Sequence, residues 1–284
     1  IITYYKRKEK GVRMKKIIAV DIDGTLLNSN REVNKKTHDA LIKAQELGHI
    51  VVIASGRDPF GVYPFADILE FKKFGGLLSN FNGGRITNYK TGQVIINHSL
   101  DLNLAKEILQ FSEKNLDMHY IIYSDDGILT SSSDTYTLKE ICDKAFTSYK
   151  VIDDLAYSLD FAPNKIMFSQ NPNLIDKDAK KLKDKFFEKT AQVKSTPYFY
   201  EIMPKGIDKG RSLKEIADYF NMSMDDVIAF GDEENDLTMI EMAGHGVVMG
   251  NGTDFMKSKA DFITKTNDED GIAYYLEKFV FGEN

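Results

Sequence analysis

The run "KKIIAVDIDGTLLNS" at positions 15–29 constrains the fold more than any other stretch of this chain. Its apolar residues, Ile17 to Val20, are continuous rather than alternating, which predicts a strand covered on both faces, as in a parallel sheet. Two aspartates, Asp21 and Asp23, close the strand, and Gly24-Thr25 follow. Carboxylates one residue apart repel, so a proton or a cation normally sits between them.

The residues that follow repeat a strand–helix grammar. "VNKKTHDALIKAQELG" predicts a helix with Leu41, Ala44 and Leu47 on one face and Gly48 just past its end. "IVVIASGR" reads as a second strand, "DPFGVYPFADILEF" as a helix with Pro59 near its start, and "GGLLSNFNGG" as a third strand and a turn. From about Arg85 the pattern changes to hairpins around Thr91-Gly92 and Asp126-Gly127, with a helix between them and the charged helix "IDKDAKKLKDKFFEKT" later. The first grammar returns with "GRSLKEIADYF", "VIAFGD", "NDLTMIEMAG", "GVVMG" and "GIAYYLEKF".

These patterns predict a doubly wound, mostly parallel α/β core in two pieces, residues 14–85 and 199–284, with an α+β module at 86–198 inserted between them. The polar, basic stretch 1–13 is expected to lie outside the fold, with Met14 as a second plausible start. With 284 residues and a formal charge of −6, the chain can bury a sizeable core but has no basic face for nucleic acid or an anionic membrane. Cys142 is the one cysteine, so neither a disulfide framework nor a multi-cysteine metal site is available. No apolar stretch reaches membrane-spanning length, and a cytoplasmic location is expected.

A second acidic cluster, "FGDEENDLTM", supplies the partner for the first, with Asp232 at a strand end and Asn235 and Asp236 close behind. Oxygen ligands without His or Cys favour a hard cation, and a few carboxylates plus waters suit Mg²⁺. Asp21 is then a candidate nucleophile toward phosphorus, and Asp23 a candidate acid for the leaving oxygen and base for water. Gly24 lets the backbone approach a phosphate, while Ser55 and Lys209 offer a hydroxyl and an ammonium. Arg57 either contacts phosphate or pairs with a core carboxylate. Asn82 either bonds a substrate at the domain junction or serves the Asn-Gly-Gly turn. Lys205 is a rival for Lys209, and Glu233 and Glu234 read as helix-start acids.

Together "DIDGT", "SGR", "DKG" and "GDEEND", in this order and at strand ends, resemble the four motifs of the haloacid dehalogenase superfamily. The resemblance implies Asp21 as nucleophile and Mg²⁺ ligand, Asp23 as acid/base and as a ligand through its carbonyl, and Asp232 as Mg²⁺ ligand. It further implies Ser55 and Lys209 as phosphoryl-binding groups, and Asn235 and Asp236 as residues that hold the metal or Lys209. Gly24, Gly56, Arg57, Asn82 and Asn235 complete the expected phosphate- and substrate-binding set.

Only 34 positions separate Asp21 from Ser55, whereas 154 separate Ser55 from Lys209, so a cap fits only in the second interval. That placement is similar to the type IIB, Cof-like branch, and implies a phosphatase of sugar phosphates or other small phosphorylated metabolites, as monomer or homodimer. A phosphomutase and a non-catalytic metabolite-binding protein are the alternatives. The superfamily's ion-pumping ATPases carry Thr at the position of Asp23; an acid there implies rapid hydrolysis of a phospho-aspartate.

Overall fold

The computed structural model describes residues 15–145 and 147–282; the proposed extension 1–13 and Met14 lie outside the described residues. Five strands come first: β1 (Ile17–Val20), β2 (Ile50–Ala54), β3 (Leu77–Asn80), β4 (Arg85–Asn88) and β5 (Val94–Asn97). Six more, β6 (His119–Ser124), β7 (Gly127–Thr130), β8 (Tyr149–Val151), β9 (Ile166–Ser169), β10 (Ala191–Thr196) and β11 (Phe199–Met203), form a separate sheet. The chain then returns to the first sheet with β12 (Val227–Gly231), β13 (His245–Val248) and β14 (Phe262–Ile263).

The large sheet has the order β14-β13-β12-β1-β2-β3-β4-β5. Its strands are parallel from β14 to β3, and β1 lies between β2 and β12 with Val20 opposite both Ile53 and Phe230. Every residue of β1, β2 and β12 is buried, as a parallel sheet with helices on both faces requires. One face packs Ile18, Val20, Val51 and Ile53 on the helix Lys35–Glu46 and the C-terminal helix. The other packs Ile17, Ala19 and Val52 on the helices Lys209–Tyr219 and Leu237–Met242. Because the strand order reverses at β1, a crevice opens at the carboxyl ends of β1, β2 and β12.

Both domain boundaries shift from those read in the sequence. The hairpin β4–β5 pairs antiparallel with β3, so the core continues to Asn97 rather than ending at residue 85. Strand β11 pairs with β9 and β10, so the second piece of the core begins after Met203 rather than at residue 199. Strand pairing is non-local, and neither hairpin carries a mark of the sheet it joins. Two local details also differ: Leu47 ends its helix partly exposed, and Pro64, not Pro59, occupies the first turn of the helix Tyr63–Ile68.

The inserted sheet, ordered β10-β11-β9-β6-β7-β8, is antiparallel except for the β7–β8 pair. Period-two alternation splits its residues between two cores. Tyr120, Ile122, Ile166 and Phe168 pack under the helices Leu102–Asn115 and Ile175–Phe186. Ile121 and Met167 face Leu138, Ile141 and the free, buried Cys142. Among the described residues, no helix is long and apolar enough to cross a membrane.

Candidate active site

Three strand ends deliver the site. Asp21 follows β1, Ser55 follows β2 and Asp232 follows β12, and all three are buried. The amide of Asp21 donates to the Phe230 carbonyl at 3.1 Å, so the neighbouring strand fixes its position.

Lys209 is the first residue of the helix Lys209–Tyr219, whose N-terminus is capped by Asp208 accepting from the Arg211 amide at 2.8 Å. Its side chain is fully buried and donates to Asp21 and to Asp236 at 2.6 Å each. Two carboxylates account for a buried ammonium: burial opposes its charge, but Asp21 and Asp236 outweigh burial and hold the lysine above its usual range. Lys205, the rival, is exposed and lies over the Phe187 ring.

Carboxylate oxygens of Asp21, Asp232 and Asp236 lie within 4.8 Å of one another. Asp236 is already committed: one oxygen accepts from Lys209, the other from the amides of Asp232 at 3.0 Å and Glu233 at 3.2 Å. That leaves Asp21 and Asp232 as the pair able to ligate a cation, with Asp232 oriented by the Thr25 hydroxyl at 2.7 Å. Burial, opposed by Lys209 and reinforced by Asp236 and Asp232, pushes the Asp21 carboxyl up to about 7. Burial also raises Asp232 to about 6, with Thr25 opposing and Asp236 and Glu233 adding to it. Three carboxylates and one ammonium carry a surplus of two negative charges, so an oxygen-ligated divalent cation fits this donor set.

Gly24 sits at φ +81°, and a Cβ there would collide with Oδ2 of Asp232. The Asn251 side chain donates to the Gly24 carbonyl at 2.8 Å and holds this turn from outside.

Asp23 is arranged differently. Its side chain is 58% exposed and takes both of its hydrogen bonds from Arg57, Nε to Oδ2 at 3.0 Å and Nη2 to Oδ1 at 2.6 Å. The two roles left open for Arg57 are thus resolved, in this state, toward pairing with a carboxylate. Arg57 also donates from its amide to Ser55 Oγ at 3.2 Å, leaving the Ser55 O–H free to donate elsewhere. Gly56 lies against Asn82, whose Oδ1 would stand 3.0 Å from a Cβ at Gly56. Asn82 has φ +55°, and its buried Oδ1 finds no hydrogen-bond partner among the described residues, although its backbone N–H donates to the Ser55 carbonyl at 2.9 Å.

The expected residues therefore divide. Asp21, Asp232, Asp236 and Lys209 form one buried cluster, with Gly24 packed against Asp232; Ser55, Gly56, Arg57, Asn82 and Asp23 line the adjoining turns. Asn235 is exposed on the one-turn segment Glu234–Asp236, and the structure does not bring it into the cluster. Glu233 and Glu234 are exposed as well. Thr25 was missed as a functional side chain although it stands in "DIDGT"; its hydroxyl is a signal only once Asp232 is known to be its neighbour.

An α/β core with a buried aspartate–lysine cluster at its switch point, and a second sheet inserted after the β4–β5 hairpin, is the architecture of a capped hydrolase of the α/β class. The haloacid dehalogenase-like hydrolase family matches residues 18–276, and this chain belongs to that family, with the cap placement of its Cof-like, type IIB branch. A Streptococcus pyogenes protein that carries a provisional phosphatase name is 33% identical, over 93% of this chain and 98% of its own. The Bacillus subtilis 5-amino-6-(5-phospho-D-ribitylamino)uracil phosphatase YwtE is 32% identical, over 94% of this chain and 99% of its own. A solved haloacid dehalogenase-like hydrolase from Bacteroides thetaiotaomicron superposes with a TM-score of 0.87 at 32% identity, covering 93% of this chain and 99% of that one.

Proposed function

We propose that this phosphatase hydrolyses phosphomonoesters of small metabolites, sugar phosphates foremost, in a Mg²⁺-dependent reaction through a phospho-Asp21 intermediate. The observation that carries the reading is the buried Asp21–Lys209–Asp236 chain beside Asp232, at the carboxyl ends of β1 and β12. Asp21 and Asp232 would hold the Mg²⁺ ion, together with the Asp23 carbonyl; when bound, the ion supplies positive charge to the phosphoryl oxygens. Asp21 attacks phosphorus, while Lys209 and the Ser55 hydroxyl stabilise the charge that spreads over the transferring oxygens. Asp23 protonates the leaving oxygen and then takes a proton from the attacking water. Both Asp23 oxygens accept from Arg57, and each keeps a second lone pair that can carry the proton.

The cap over this crevice excludes bulk water while admitting the one that hydrolyses the acyl-phosphate. The named activity of YwtE, on a phosphorylated ribityl chain, supports a polyhydroxyl phosphomonoester as the substrate class. The lone cysteine supports a cytoplasmic location, and we place the protein there as a monomer or homodimer.

The test is phosphate release from a panel of sugar phosphates, nucleotides and phosphorylated cofactors, with Mg²⁺ and with a chelator, for the wild type and Asp21→Asn. Metal-dependent release that vanishes in the variant is expected. Release that survives the substitution, or no release from any compound, would overturn the assignment.

A further inference from the structure

One buried cation in this crevice has no part in the chemistry above. Lys165 lies in the cap immediately before β9, and its side chain is 6% exposed. Its ammonium is 3.2 Å from Oε2 of Glu201, on β11, and donates to the Gly56 carbonyl of the core at 3.4 Å. Oε1 of Glu201 accepts from Ser195 at 2.8 Å, which fixes the carboxylate beside the lysine. The Nζ also lies 5.8 Å from the Phe81 ring centroid and 5.5 Å from that of Tyr123, at the meeting of core and cap.

Two features separate Lys165 from an ordinary structural lysine. Its contacts are long for a charged pair, which normally closes to about 2.7–2.9 Å, as Lys209 does at 2.6 Å. An ammonium has three N–H donors, and these two stretched contacts leave donor capacity unused. The residues around it, Gly56, Asp58 and Phe81, all follow the carboxyl ends of β2 and β3, where a doubly wound fold binds its ligands.

We propose that Lys165 and Glu201 form a donor–acceptor pair with which the cap reads hydroxyl groups on the leaving part of the substrate. The proposal rests on the phosphatase reading and narrows it. A hydroxyl both donates and accepts, and it meets an ammonium and a carboxylate side by side. The charge is already balanced by Glu201, and the Asp58 carboxylate, held by the Phe60 and Gly61 amides, adds negative charge in the same region without pairing with Lys165. A second anionic group on the substrate would meet surplus negative charge, so the pair selects a neutral polyol monophosphate over a bisphosphate.

The experiment compares kcat/KM for a hexose 6-phosphate, a hexose 1,6-bisphosphate and p-nitrophenyl phosphate, the last having no hydroxyl on its leaving group. For Lys165→Met the hexose-to-nitrophenyl ratio should fall about tenfold or more, the worth of a charge-assisted hydrogen bond. Lys165→Arg should recover part of it. Glu201→Gln, which removes one negative charge, should raise the bisphosphate-to-monophosphate ratio. Thermal unfolding of each variant identifies one that fails to fold, and the remaining variants then decide. Parallel losses on all three substrates would show that the pair only holds the cap to the core and would overturn the proposal, as would unchanged ratios. A wild type active on p-nitrophenyl phosphate alone would sink this proposal and spare the phosphatase reading; a wild type active on none would sink the latter.

Discussion

Replacing Asp21 by Asn should stabilise the metal-free protein while destroying its activity. Asp21 is 7% exposed, pairs with Lys209 at 2.6 Å, and has two carboxylate neighbours within 4.8 Å. At an effective dielectric of about 20, each like-charge neighbour costs at least about 3.5 kcal/mol and the lysine offsets about 6 kcal/mol. Repulsion and attraction nearly cancel, which leaves burial to decide the sign. With its carboxyl pushed up to about 7 from 3.8, ionised Asp21 costs the fold on the order of 4 kcal/mol at neutral pH and above. Because the folded-state value is raised, the folded protein binds the extra proton between pH 3.8 and about 7. The stability this proton confers is complete below 3.8 and is lost as pH rises through about 7. The amide introduced by Asp21→Asn mimics the protonated acid, so the advantage of the variant over the wild type should be smallest near about pH 4 and largest near about pH 8. Thermal unfolding in chelator should show that advantage growing by roughly 5–15 °C over this range, and Mg²⁺ should raise the Tm of the wild type more than that of the variant. A variant no more stable than the wild type at about pH 8, or an advantage independent of pH, would refute the argument that buried surplus charge sets this site.

Other perturbations test the neighbouring contacts. Lys209→Met leaves Asp21 and Asp236 buried without their cation and should cost about 3–5 kcal/mol of unfolding free energy in urea titration, part of it restored by Mg²⁺. Thr25→Val removes the hydroxyl that favours ionised Asp232, so the Asp232 carboxyl should rise further above about 6. Mg²⁺ affinity by calorimetry should then fall more at about pH 6 than at about pH 8, where the acid is ionised in either protein. Gly24→Ala adds a Cβ at φ +81° that collides with Asp232; it should weaken Mg²⁺ binding by calorimetry and lose about 1–2 kcal/mol of stability.

Much of the buried aspartate–lysine cluster was legible as a candidate site because its motifs end strands, and an apolar run stopped by an acid is a local pattern. Asp21, Ser55, Asp232 and Lys209 needed no knowledge of pairing, since the strand–helix alternation already places them at one edge of a parallel sheet. Asn235 and Asp236 were both expected to hold the metal or Lys209. Only Asp236 of the two reaches the cluster, because the turn after β12 points it inward to Lys209 and leaves Asn235 exposed. Arg57 could not be assigned either, since its partner, Asp23, is 34 positions away in sequence and adjacent only across β1 and β2.

The domain limits failed for the same reason. A hairpin shows its own turn and alternation, but not the edge it will extend, and β4–β5 extends the core while β11 extends the cap. Sequence by itself thus determined the class of fold, the presence of an insertion and which acids and lysine could gather at the strand ends, because these rest on local periodicity and on residue type. Tertiary structure alone decided which sheet each hairpin joins, which acid holds Lys209, and that Lys165 of the cap meets Gly56 of the core. Those outcomes depend on contacts between segments far apart along the chain, and side-chain period and propensity carry no record of them.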